Sequence, residues 1–138
     1  MTRHLTPATA TFIGAAGNKL IADVFGDGGS PVLLLHGGGQ TRHAWHKTAQ
    51  EIARKGHTAY ALDQRGHGDS DWVVSGAYEF ADYAADAKVV AAELTRRSGA
   101  RPIAIGASLG LAKASPNATR VPASFPRWCS STSPRAWT

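Results

Sequence analysis

Three apolar runs in this chain each break directly into a polar loop, and two of those loops are rich in glycine from their first residues. Pro31-Val32-Leu33-Leu34-Leu35 runs into His36-Gly37-Gly38-Gly39. His57–Asp63 runs into Gln64-Arg65-Gly66-His67-Gly68-Asp69-Ser70. Pro102-Ile103-Ala104-Ile105 runs into Gly106-Ala107-Ser108-Leu109-Gly110. The first run is apolar at every position rather than at alternate ones, as in a strand covered by helices on both faces. Such strands belong to mostly parallel sheets, whose crossovers are helical.

Helices fall between the runs. Trp45, Ala49, Ile52 and Ala53 share one face of a helix expected over Ala44–Lys55, with Gly56 as its stop. The clearest helix spans Glu79–Arg97. Phe80, Tyr83, Ala84, Ala87, Val90, Ala91 and Leu94 form its apolar stripe. Glu79 and Asp82 suit its positive end, and Arg96 and Arg97 its negative end. Upstream, Thr9–Ile13 and Lys19–Phe25 read as strands joined by a Gly14–Asn18 hairpin connection. The order is therefore a hairpin, then strand–helix–strand–helix–strand. That alternation predicts an α/β fold with a mostly parallel sheet and flanking helices.

Composition narrows the class. The chain has 138 residues, 43% of them hydrophobic, enough for one domain with a modest core. No run approaches the roughly 18 apolar residues of a membrane helix, and Met1–Pro7 has no apolar signal-peptide core. A cytoplasmic location and no membrane partner are expected. Cys129 is the single cysteine, so no internal disulfide or cysteine metal cluster can form. The net charge is +5, but four of its basic residues, Lys113, Arg120, Arg127 and Arg135, follow residue 110, where no acid remains. Up to residue 110 charge is nearly balanced, which argues against a nucleic-acid partner.

Gly106-Ala107-Ser108-Leu109-Gly110 fits a sharp strand-to-helix turn that lifts a serine hydroxyl clear of the backbone. The plain alternative is a glycine-containing turn with a surface serine. Acyl transfer at such a serine needs donors for the developing oxyanion. The Leu109 amide is one candidate, and the Gly38 amide is the second, with Gly39 as a substitute. Glycine there lets backbone approach a substrate closely.

Together, Leu33–Gly39, Trp45, Asp63–Ser70 and Gly106–Gly110 resemble the α/β-hydrolase family over roughly residues 9–110. The resemblance implies the N-terminal half of that fold, with an incomplete sheet. It implies no cofactor and no metal, and hydrolysis of a small ester-like acyl substrate. Ser108 would be the nucleophile, served by a histidine base and a carboxylate. Epoxide hydrolases and dehalogenases of this fold use Asp at the position of Ser108, so an esterase-like serine hydrolase is the better analogy.

The family places its acid and histidine after the nucleophile, yet residues 111–138 contain no Asp, Glu or His. All six histidines, at 4, 36, 43, 46, 57 and 67, precede Ser108. His36 and His67 read as braces for their loops, as do Asp63 and Asp69. His43 and His46 read as residues of a pocket mouth, without the companion ligands of a metal site. The expectation is a partial hydrolase domain over 1–110 and an irregular tail over 111–138, with little or no activity.

The tail itself suggests a slipped reading frame. Pro116, Pro122, Pro126 and Pro134 break any useful helix. With CGN arginine and TCN serine codons, regrouping Arg127–Ser133 from the third base yields an apolar strand ending in a polar residue. In a sheet cut short after its fifth strand, the strand before Ser108 would be an exposed edge, open to self-association. The alternative function is a non-catalytic half-domain that binds a partner.

Overall fold

The order hairpin, strand, helix, strand, helix, strand is present in the structure, a computed structural model that describes residues 7–37 and 40–106. Strands β1 (Ala8–Ile13) and β2 (Lys19–Phe25) form the hairpin, and β3 is Pro31–Leu35. A 3₁₀ turn, Arg42–Trp45, leads into α1 (His46–Arg54). Then follow β4 (Thr58–Leu62), α2 (Phe80–Ser98) and β5 (Ile103–Gly106).

The five strands form one mixed sheet in the order β1-β2-β4-β3-β5. β1 pairs antiparallel with β2, and β2 with β4. β3 pairs parallel with both β4 and β5. The parallel part is therefore the β4-β3-β5 half, and the hairpin flanks it. Among the described residues β5 is an edge strand.

All five residues of β3 are buried, as its uninterrupted apolar character requires. Alternate side chains serve opposite faces. Val32 and Leu34 join Trp45, Ala49 and Ile52 in a core beneath α1, together with Phe25, Ile103 and Ile105. Leu33 and Leu35 join Val90 and Leu94 of α2 on the other face, with Phe12, Leu20 and Leu62. Of the predicted stripes, Ala49 and Ile52 of α1 and Tyr83, Val90 and Leu94 of α2 are buried.

Helix boundaries follow local chemistry. Asp82 accepts a hydrogen bond from the Glu79 amide at 2.9 Å, satisfying backbone ahead of the first turn of α2. Gly99 closes α2 in a left-handed conformation (φ 76°), and its amide donates to the Thr95 carbonyl at 2.8 Å. The first helix starts later than its apolar pattern suggests, because residues 42–45 wind as 3₁₀. The Arg42 amide is held at 2.6 Å by Asp63 Oδ1, which ties this turn to the β4 exit. Trp45 still reaches the core.

Candidate functional site

Strand register brings the carboxyl ends of β4, β3 and β5 to one edge of the sheet. Leu35 stands opposite both Leu62 and Gly106. His36 and Asp63 therefore leave β3 and β4 at the level where β5 reaches Gly106. In open α/β sheets ligands bind outside these carboxyl ends. Ser108, Leu109 and Gly38, the expected nucleophile and oxyanion donors, lie outside the described residues, as does Gly39. Their flanks, His36, Gly37, Gln40 and Gly106, are described.

His36 is fully buried and joins two of the loops. Its Nε2 accepts the Gln64 amide at 3.0 Å, which leaves Nδ1 protonated to donate to the Gly37 carbonyl at 2.8 Å. Gln64 Nε2 donates back to the His36 carbonyl at 2.8 Å, and Gln40 Oε1 accepts the Gly37 amide at 2.9 Å. The start of the glycine loop is thus fixed by side chains on both sides. His67 packs on His36 with ring centroids 4.8 Å apart, and its Nδ1 lies 2.9 Å from the Arg65 carbonyl oxygen. Both histidines brace loops, as the sequence suggests.

Asp63 holds the second loop closed. Its carboxylate accepts from the Arg42 amide and guanidinium and, at 3.0 Å, from the Asp69 amide. Gly68 (φ 53°) sits so close that a Cβ there would lie 2.2 Å from Asp63 Oδ2. The loop is also laid along β2. Ser70 Oγ accepts the Ile21 amide at 2.9 Å and donates to the Asp63 carbonyl at 2.5 Å. Asp71 exchanges hydrogen bonds with the Lys19 backbone.

Two buried arginines were not legible as such. Arg42 lies among three carboxylates, with Nε 3.0 Å from Asp23 Oδ1 and Nη1 on Asp63 and Asp69. Burial alone would lower its pKa, but bonds to Asp69, Asp23 and Asp63 outweigh that and hold it above the usual arginine value. Arg65 is paired with Asp86, whose hydrogen bonds raise the Arg65 pKa against the opposing effect of burial.

One expectation needs correction. His43 and His46 do have a companion ligand. β2 carries Asp23 to the start of α1, where Asp23 Oδ2 lies 2.6 Å from His46 Nε2. One ligand atom each from Asp23, His43 and His46 falls within 4.8 Å of the others. Asp23 is distant from both histidines in sequence, so spacing gave no sign of the cluster. Among the described residues no helix is long and apolar enough to cross a membrane.

Comparison with known proteins agrees with this geometry. The family model described as alpha/beta hydrolase fold matches residues 30–110. A monoacylglycerol lipase of Mycolicibacterium smegmatis is 35% identical over 68 residues, which are 47% of this chain and 24% of the lipase. An epoxide hydrolase from an endophytic Streptomyces superposes with a TM-score of 0.68 at 25% identity, covering 78% of this chain and 31% of the enzyme. The Vigna radiata epoxide hydrolase gives a TM-score of 0.68 at 23% identity, over 76% and 33%. The chain thus spans about a quarter to a third of the length of these relatives. The matched segment runs from the foot of β3 through the glycine loop and the Asp63 loop to Gly110, and this chain belongs to the α/β hydrolase fold family.

Proposed function

We propose that this chain carries the nucleophile half of a serine hydrolase acting on an ester-like acyl bond. Ser108 is the nucleophile, and the Leu109 and Gly38 amides receive the oxyanion. The supporting observation is the register that sets Gly106 beside Leu35, so that the serine segment and the glycine loop start from adjacent strand ends. The partial likeness to a monoacylglycerol lipase favours an acyl substrate. Serine in place of aspartate at position 108 sets the chain apart from the epoxide-opening branch.

Attack by Ser108 would transfer its proton to a base as the carbonyl carbon becomes tetrahedral. The two amides would then stabilise the oxygen. Among residues 111–138 there is no Asp, Glu or His to act as base or as its partner. The 138 residues alone are therefore expected to turn esters over slowly or not at all, keeping only what binding and the oxyanion donors provide.

A fluorophosphonate probe read by mass spectrometry tests the nucleophile directly. A slow adduct concentrated on Ser108 and absent in Ser108→Ala is expected. Equal labelling across the serines would remove the assignment. Saturable p-nitrophenyl ester turnover lost in Ser108→Ala would keep the nucleophile and refute the low activity.

A second reading rests on β5. Ile103 and Ile105 are buried, yet their strand pairs on one side only among the described residues. An edge of that kind suits a half-domain that binds a partner or a second copy through strand pairing.

A further inference from the structure

We propose that Asp23, His43 and His46 form a binding site for a divalent transition ion of the zinc class. The three side chains come from two elements. Asp23 is buried on β2, His43 is exposed in the 3₁₀ turn, and His46 begins α1 half-buried. One oxygen and two nitrogens lie within 4.8 Å of one another. The His43 and His46 rings meet edge to face with centroids 4.7 Å apart. Two imidazoles and one carboxylate suit zinc and its neighbours rather than calcium or magnesium, which take oxygen donors.

The surroundings prepare the site. Arg42 Nε stands 3.0 Å from Asp23 Oδ1, which leaves Oδ2 facing His46 at 2.6 Å. Arg42 thereby orients the carboxylate, as the outer partners of metal ligands do. It does not make the cluster repel cations. Asp23, Asp63 and Asp69 all contact this one guanidinium, so three carboxylates face one positive charge. The excess negative charge matches a dication. Phe25, whose ring centroid lies 5.1 Å from that of His46, walls the inner side. A bound ion would insert between Oδ2 and Nε2, widen their separation slightly and draw in His43 from solvent. Water would complete a tetrahedral shell, because only three protein ligands are present. The ion would pin the start of α1 to β2, beside the loop that Asp63 and Arg42 hold.

Calorimetric titration of the full chain with Zn²⁺, and visible absorption with Co²⁺, test the site. One ion per chain is expected, with a tetrahedral Co²⁺ spectrum. Zinc should raise the thermal midpoint and EDTA should reverse the rise. His43→Ala, an exposed change that leaves the core untouched, should weaken binding at least tenfold. His46→Ala should do the same. Cys129→Ser should leave affinity unchanged, since the thiol is no part of the site. Absence of binding at millimolar Zn²⁺, unchanged affinity in His43→Ala, or loss of binding in Cys129→Ser would each overturn the proposal.

Discussion

Asp86 grips the guanidinium of Arg65 in two places, with Nε 2.6 Å from Oδ2 and Nη2 2.7 Å from Oδ1. Both side chains are almost wholly buried. The pair also ties distant parts of the chain together. Asp86 Oδ1 accepts the Ala15 amide at 2.9 Å, and Oδ2 lies 3.4 Å from Asn18 Nδ2. Arg65 Nη1 donates to the Ala77 carbonyl at 2.8 Å. One ion pair thus joins the hairpin turn, the loop after β4 and the middle of α2.

Removing one partner strands the other as a buried, unpaired charge. Asp86→Ala should therefore destabilise the fold by about 3–5 kcal/mol. Arg65→Lys should also be costly, because an ammonium cannot reproduce the two-pronged contact. Urea unfolding followed by far-UV circular dichroism checks both. A loss under 1 kcal/mol for Asp86→Ala would show that the pair is not closed in solution.

These ion pairs mark the limit of what the sequence shows. Val32–Leu35 announce a strand buried on both faces because burial there needs only local apolar character. The span of α2 is equally plain, since Glu79, Asp82 and Gly99 are local signals at its ends. Asp86 sits on that same helix, and its charge suggests solvent. Its partners lie 21 and 71 residues away, where periodicity carries no information. Arg42 is hidden for the same reason, being buried by acids at positions 23, 63 and 69. The loops were legible as a family pattern, and His36, His67 and Asp63 as their braces, but the groups those braces hold, such as the Gln64 amide on His36 and the Arg42 amide on Asp63, emerged only with the fold.

Gly68→Ala should be among the most damaging loop substitutions. The residue has φ 53°, and a Cβ would meet the Asp63 carboxylate from 2.2 Å. Left-handed backbone costs about 1–2 kcal/mol on its own, and displacing Asp63 would loosen Arg42 and the Asp69 amide as well. Gly17→Ala is the control, with φ 77° but open space around it. The thermal midpoint of Gly68→Ala should fall clearly below that of Gly17→Ala. Equal midpoints would mean that backbone strain alone matters.

His36→Ala should act on stability and reactivity together. It leaves the buried Gln64 amide without its acceptor, a loss of about 1–3 kcal/mol, and opens a cavity besides. It also removes one of the hydrogen bonds that hold Gly37. If the glycine loop receives the oxyanion, fluorophosphonate labelling of Ser108 should slow by about tenfold or more, because small misplacements of catalytic groups are expensive in rate. His36→Gln, which keeps an acceptor, should recover part of both effects. Labelling at the unaltered rate in a folded His36→Ala protein would separate the loop from the chemistry.

Glu93 should titrate abnormally low. Hydrogen bonds from Arg96 and then Arg97 hold its carboxyl down to about 2, against an ordinary 4.5. Because the folded value is the lower one, the stabilisation is complete above 4.5 and is lost as pH falls from there towards 2. The group is on the surface, so the effect is small and weakens with salt. Carbon-detected NMR titration of the Glu93 carboxyl reads the value directly. Arg96→Ala and Arg97→Ala should each move it upward, and an unmoved midpoint in both would count against the ion pairs.

The edge that β5 forms among the described residues makes the last prediction. A strand with one unpaired side offers backbone groups to another chain, and charge on such a strand is a common guard against it. β5 has no charged residue between Ile103 and Gly106. Ala104 is the half-buried position along it, so lysine there can reach solvent without emptying the core that Ile103 and Ile105 fill. Light scattering of the 138-residue chain should show a mass that grows with concentration. Ala104→Lys should shift the distribution towards monomer while leaving the circular dichroism spectrum in place. A strictly monomeric wild-type chain would end the edge-pairing reading, and association that persists unchanged in Ala104→Lys would move the contact elsewhere on the surface.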